Sequence, residues 1–202
     1  MSILGQKIAG ELPSGMELPP ELGRLLDWCE ERGWCDDLDA VTPTVAPYPP
    51  EAGVTTAIFT NEGSMDLALN LGMLQDDRDD AFADRLYQFC QIGSDGTHAA
   101  WWLNDTGEQQ VVIIGDDFGS AFATTTDFLR ALAVGHFELT LGEMGADDVE
   151  EEYVNHHLRS WLVDELGVTI PHCADELTVQ PEPDPFQEWV ASVEESLEDE
   201  ES

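Results

Sequence analysis

The residues that most resemble a chemical site lie in the last third of the chain. Glu152 and His156 are four positions apart in a segment with helical periodicity, and Asp148 precedes them by one turn. On a helix these side chains share one face, and carboxylates with an imidazole are ligands for zinc or carboxylate-bridged iron. A complete site needs a matching motif elsewhere, which is not found around the other histidines, His98, His136, His157 and His172. We interpret the trio as a solvated acidic helix face, predict no metal site, and keep a metal-dependent enzyme as a third hypothesis.

The sequence also shows no convincing nucleophile with a base and no phosphate-binding loop. Gly93–Gly96 places Ser94 between glycines, but it lacks the Gly-x-Ser-x-Gly spacing and falls between two predicted strands, so we interpret it as a turn. His172 and Cys173 form an isolated pair. Neither glycine-rich nucleotide-binding motif occurs. The sequence therefore predicts no catalytic residues and no cofactor.

Acidic residues gather near the loops that join the central strands. The aspartate pairs 76–77, 79–80 and 116–117 lack the ligand register of a calcium loop. Loops at strand ends commonly carry binding function. We predict that a partner contacts this region through Asp95, Trp102, Asp105, Glu108, Asp116 and Asp117.

Trp101 and Trp102 are consecutive in a predicted strand, so their side chains must point to opposite faces of the sheet. One of them belongs in the core. The second face is either covered by a helix or leaves an aromatic anchor exposed for a partner, and Trp102 is our candidate for that anchor.

The first half of the chain predicts one clear helix and several short strands. Leu22, Leu25, Leu26 and Cys29 follow two prolines at helical spacing, and Gly33 provides the stop. The proline-rich stretch 41–53 predicts an extended connection. Residues 54–59 and 65–71 predict two strands around a turn at 61–63, and 76–84 predicts an acidic helix or loop.

The middle of the chain is the most regular part. A strand is predicted over 86–92, and runs at 99–103 and 111–114 predict a hairpin around the turn 105–108. A helix capped by Thr125 or Thr126 follows and ends at Gly135. Strands followed by helices predict an α+β fold, with a mixed, mainly antiparallel central sheet and helices packed against it.

The last third predicts acidic helices that pack on the same body. One apolar stripe runs from Val154 to Leu162 and ends at Gly167, and a second runs from Phe186 to Leu197. We therefore divide the chain into an α+β domain at 1–140, an acidic helical part at 141–197 packed on it, and a free acidic tail at 198–202.

Charge is the strongest compositional feature. The 202 residues include 43 acidic and 7 basic side chains, a net charge of −36. Such a field repels nucleic acid and anionic membranes and attracts basic partners, although high-salt adaptation or solubility also produces acidic surfaces. No apolar run is long enough to span a membrane, and no secretion signal is seen at the start of the chain. Four scattered cysteines favour free thiols in a cytoplasmic protein.

The order of motifs in the middle segment resembles the SUKH superfamily. The run 89–105 includes Ile-Gly-Ser-Asp-Gly before a strand with aromatic residues, 111–119 returns to a Gly and acidic turn, and 126–135 has a Phe-Leu-x-x-Leu type of helix. Leu18-Pro19 and the following helix match the start of the pattern, so the likeness covers roughly residues 15–139. The superfamily includes bacterial immunity proteins and fungal cell-wall synthesis regulators. For a bacterial member the resemblance implies a mixed sheet, no catalytic residues, and binding of a cognate protein toxin.

These observations together predict a non-catalytic immunity protein, a monomer or weak dimer, that neutralises a cognate toxin or binds another basic protein. An acidic nucleic-acid mimic or adaptor is the alternative, because carboxylates can imitate phosphates.

Overall fold

The computed structural model describes residues 1–50, 57–71, 80–94, 96–142 and 144–200. Within them, seven strands form one sheet in which strands adjacent in the chain are also adjacent in the sheet. Every neighbouring pair is antiparallel. The strands are β1 (Cys35–Asp36), β2 (Thr44–Val45), β3 (Ile58–Gly63), β4 (Leu86–Gln91), β5 (His98–Leu103), β6 (Gln109–Ile114) and β7 (Gly119–Phe122).

Helices lie on both faces of this sheet. The described α-helices are α1 (Ile3–Glu11), α2 (Pro20–Glu31), α3 (Leu67–Asn70), α4 (Asp80–Ala83), α5 (Thr125–Leu132), α6 (His156–Trp161) and α7 (Pro185–Glu200). Helix α6 continues into a π-helical turn, Leu162–Leu166, and stops at Gly167, whose φ of 66° is in the left-handed region that favours glycine. The predicted α+β class is confirmed, and the sheet of the described residues is antiparallel throughout, whereas a mixed, mainly antiparallel sheet was predicted.

The larger core lies on the face of the sheet that carries Trp101. Its indole stacks on Phe89 at a centroid distance of 4.0 Å and donates a buried hydrogen bond of 2.9 Å to Thr125 Oγ1. Apolar residues of α1, α2, α5 and α6 cover this face. The bond to Thr125 satisfies the indole N–H, which would otherwise be costly to bury.

The smaller core lies on the opposite face and is centred on Trp102. Its ring is 5.4 Å from the ring of Phe186 and 5.9 Å from that of Trp189, both on α7. Residues of α3 and α4 pack in the same cluster. The C-terminal helix is therefore part of the folded body.

The outer edge of β7 is covered by the segment that leads into α7. The Val179 N–H donates to the Ala121 carbonyl at 2.8 Å, and Asp184 accepts from both the N–H and the hydroxyl of Ser120. The opposite edge is formed by β1, which has only two residues. A covered edge and a very short edge both limit pairing with strands of other molecules.

Several predicted elements differ in the structure. The strand predicted at 65–71 is wrong, because Leu67–Asn70 form α3. The turn predicted at 61–63 is also wrong, because these residues belong to β3, which has an irregular register opposite β4. Helix α5 is capped by Thr124, one residue before the predicted caps, and α7 continues to Glu200 beyond the predicted start of a free tail. Predictions for 51–56, 72–79 and 201–202 lie outside the described residues.

Candidate functional site

The predicted acidic loop residues lie at two opposite ends of the sheet. Asp105 and Glu108 are in the β5–β6 hairpin, whereas Asp116 and Asp117 follow β6 at the other end. The six residues of β5 separate these ends by roughly 17 Å. Asp95 lies outside the described residues. These carboxylates therefore do not form one site.

The carboxylates of the hairpin stabilise the turn itself. Asp105 forms an ion pair of 2.8 Å with Arg85. Glu108 accepts hydrogen bonds from Thr106 Oγ1 at 3.1 Å and from Asn104 Nδ2 at 3.4 Å. Asp116 and Asp117 are exposed and have no hydrogen bond or ion pair with described residues. Of the four described acidic candidates, only Asp116 and Asp117 have no polar interaction with the described residues and could bind a partner without losing one.

Trp102 does not reach the surface. Its side chain is 1% exposed, because α7 covers this face of the sheet with Phe186 and Trp189. The alternative considered from the sequence, a face covered by a helix, is the one that the structure has. The prediction that Trp102 contacts a partner is therefore wrong for this conformation.

The geometry expected for a metal-binding helix is absent. Glu152 lies in a short 3-10 turn, Glu151–Tyr153, and His156 is the first residue of α6, whose N-cap is Asn155. The chain between them is not helical, so Glu152 and His156 do not share a helix face. Instead, His156 Nε2 is 3.4 Å from Glu151 Oε1. Within the described residues no group of three or more His, Cys, Asp or Glu is placed to hold a metal ion.

All four cysteines are held in environments that favour the neutral thiol, and for Cys35 burial is the main cause of the raised pKa. Burial raises the pKa of Cys29 and of Cys90 far above the ordinary thiol range. The hydrogen bond between Cys173 and Asp175, together with burial, raises the pKa of Cys173 to about 11. A thiol with a raised pKa is a poor nucleophile.

The few cationic side chains of the described residues all form hydrogen bonds with the main chain. Six of the seven lie in the described part of the chain, and each of the six donates to a main-chain carbonyl. Among these six, only Arg85 and Arg130 form an ion pair with a carboxylate of the described residues. The bonds run from Lys7 to Ala40 and Val41, Arg24 to Glu165, Arg32 to Trp28, Arg85 to Leu103, Arg130 to Thr169, and Arg159 to Val134. The surface carboxylates are therefore largely without cations of their own.

An open groove is lined mainly by residues of the acidic last third of the chain. It has a volume of about 690 Å³, and most of its lining side chains are aliphatic. We call it the valine groove and define it by Val134, Val149, Glu151, Val154, Arg159, Val163 and residues 168–172. Val163 is 47% exposed at its margin. From residue 141 to the end, the chain has 19 acidic residues and one basic residue, Arg159.

His136 lies beside this region and supports a prediction about pH. It accepts a hydrogen bond from the Ala174 N–H at 3.3 Å, and burial lowers the pKa of His136 despite the opposing effect of Asp148 and Asp175. In the unfolded chain the imidazole has the ordinary histidine pKa of about 6.5, whereas in the folded protein its pKa is lower. Protons therefore bind the unfolded state more readily. We therefore expect His136 to contribute a loss of stability as the pH falls below about 6.5, down to its lowered folded pKa.

The measurement is the free energy of unfolding in urea at several pH values between about 8 and 5. His136→Gln should fall less steeply with decreasing pH than the wild type, because glutamine keeps an acceptor and does not titrate. His172→Gln, at an exposed histidine, is the control and should follow the wild-type curve. Parallel curves for His136→Gln and the wild type would contradict the assignment.

Comparison with protein-family models, curated proteins and solved structures found no match for this chain. The resemblance to the SUKH superfamily stays a prediction. None of the described helices has the length and apolar character needed to cross a membrane.

Proposed function

We propose that this protein is a non-catalytic binding module that captures a basic protein, and that its partner is a toxin which it neutralises. The observation that carries the proposal is the large excess of carboxylates over cations, of which few are paired. The chain has 43 acidic against 7 basic side chains, and among the six described lysine and arginine residues only Arg85 and Arg130 pair with a described carboxylate, so most carboxylates have no cationic partner.

An uncompensated surface of one sign favours fast capture of a partner of the opposite sign. Long-range attraction raises association rates by 10-fold to about 1000-fold, and like-charged molecules are repelled. An antidote must bind before its toxin acts, so a fast association rate suits that role. The motif order shared with the SUKH superfamily supports the same class of function.

The local chemistry supports a binding role over a catalytic one. The pKa values of the thiols of Cys29, Cys90 and Cys173 are raised, and Glu152 and His156, considered as metal ligands only in the third hypothesis, do not share a helix. The nucleic-acid mimic remains the alternative, since the same carboxylates can imitate phosphates. The two differ in selectivity: an antidote binds one toxin, and a mimic inhibits several unrelated DNA-binding proteins.

The test is co-expression with the basic toxin encoded beside the gene, followed by measurement of complex formation. We expect protection of the cells and a single complex on a sizing column. The association rate should fall about tenfold or more between low and high salt, with a much smaller change in the dissociation rate. Undiminished toxicity together with no complex would overturn the proposal, and inhibition of several unrelated DNA-binding proteins would favour the mimic.

A further inference from the structure

The valine groove has an apolar floor that is open to solvent. Val149, Val168 and Ile170 are half-buried, and Val163 is 47% exposed at the margin. The volume of about 690 Å³ falls within the range of ordinary ligand sites and has room for several side chains. Burying these aliphatic side chains under another apolar surface would be favourable.

One wall of the groove is an irregular segment, 168–171, with main-chain groups available for pairing. Residues 168–171 have neither helical nor sheet pairing in the structure. The Thr169 carbonyl accepts from Arg130 Nε at 2.8 Å, but the N–H groups of Val168, Thr169 and Ile170 have no hydrogen-bond partner in the described part of the chain. Main-chain donors without partners beside an apolar groove can pair with an added extended peptide, whose main-chain hydrogen bonds supply affinity and whose alternate side chains enter pockets.

The surroundings of the groove are strongly acidic. Glu151 lines it, with Glu150 and Glu152 beside it in the chain, and Asp164 and Glu165 directly follow Val163. All five are exposed carboxylates. The one cation in the lining is Arg159, which donates to the Val134 carbonyl at 3.3 Å. Arg130, which donates to the Thr169 carbonyl, is paired with Asp127. The groove therefore complements an occupant that is apolar in its centre and cationic at its margins.

We propose that the valine groove binds an extended segment of a basic partner protein, in which aliphatic residues alternate with lysine or arginine. Alternate side chains of a strand point to opposite sides, so the aliphatic set enters the groove while the cationic set reaches the acidic margins. The inference rests on the proposed function and names the surface that performs it. A second copy of this chain fits poorly, because two molecules of charge −36 repel each other.

The first test uses the full chain and a fluorescent synthetic peptide of about ten residues with alternating valine and lysine. A peptide with glutamate in place of lysine should not bind. Val163→Arg adds a cation at the margin of the groove, and we expect it to weaken binding of the valine-lysine peptide about tenfold or more. Val41→Arg is the matched control: it adds the same charge at a residue that is 87% exposed and lies outside the groove. Equal weakening by both variants would show that the overall field binds the peptide and would overturn the groove assignment.

Hydrogen exchange provides a second readout that does not depend on a variant. The valine-lysine peptide should slow exchange of the amides at 168–170, since strand addition gives them acceptors. Unchanged exchange at these amides in the peptide complex would overturn the proposed mode of binding. A dimer of this chain that Val163→Arg abolishes would also overturn it, by showing that a second copy is the occupant.

The same variants separate this inference from the proposed function. Loss of toxin capture by Val163→Arg, with capture retained by Val41→Arg, would support both. Toxin capture by Val163→Arg at the wild-type level would overturn the groove and leave the proposed function standing. If the wild-type protein binds the peptide in the groove but does not bind the toxin, the proposed function is overturned. The groove would then remain a site for cationic extended peptides.

Discussion

Replacement of Trp102 by alanine is expected to cost about 3–5 kcal/mol of unfolding free energy, the range measured for large aromatic residues in protein cores. The side chain is 1% exposed between the sheet and α7, and it packs against Phe186 and Trp189. Alanine would leave a cavity that the sheet and helix can only partly close. The measurement is urea unfolding followed by far-UV circular dichroism.

Trp189→Ala is the control for Trp102→Ala, because Trp189 is in the same aromatic cluster but is only half-buried. Trp189→Ala should lower the free energy of unfolding clearly less than Trp102→Ala does. We also expect Trp102→Ala to keep its affinity for the partner under conditions in which it is folded, because Trp102 is beneath α7. A small loss of stability combined with a large loss of affinity would contradict the position of Trp102 in the core.

Replacement of Asp184 by alanine is expected to loosen α7 from the sheet, at a cost of about 2–4 kcal/mol. Asp184 accepts three hydrogen bonds: from the Ser120 N–H at 2.8 Å, from the Ser120 hydroxyl at 2.7 Å, and from the Phe186 N–H at 2.9 Å. Losing a helix cap costs about 0.5–2 kcal/mol, and leaving a buried donor unsatisfied costs about 1–3 kcal/mol. Ser120 is 3% exposed, so water cannot easily replace the carboxylate.

Two measurements separate this effect from a general loss of charge. Urea unfolding should show the lower stability of Asp184→Ala. Relative to the wild type, this variant should speed hydrogen exchange in α7 more than in α2. Glu182→Ala is the matched control, since it removes the same charge from an exposed side chain two residues earlier. Equal stability of Asp184→Ala and Glu182→Ala would contradict the role of Asp184 in holding α7 on the sheet.

The elements predicted well are those in which local signals agree with packing. The helix that begins at Pro20, the hairpin of β5 and β6, and the strand β4 all lie where periodicity and turn residues place them. The opposite orientation of Trp101 and Trp102 is also confirmed, because alternation along a strand is a property of the backbone itself.

The elements predicted poorly are short or have a weak sequence pattern, and their structure depends on distant residues. The predicted strand that contains Leu67 is helical, because Leu67 and Ala68 pack with Trp102 and Leu86 in the smaller core. Strand β7 was not predicted, since its four residues carry little pattern and its pairing with β6 and Val179 completes it. Helix α1 was missed as well, and its buried Leu4 and Ile8 show a weak local pattern.

The sequence by itself determined the charge, the α+β class and the alternation of the central tryptophans, because these follow from composition and from backbone geometry over a few residues. Only the tertiary structure decided which tryptophan face a helix covers, where the carboxylates of the central loops lie, and how the six described cations are used. The valine groove also belongs to the tertiary structure, since it joins Val134, the turns near Glu151 and the segment 168–172. The physical reason is that burial and hydrogen bonding depend on partners far away in the chain, which no local pattern specifies.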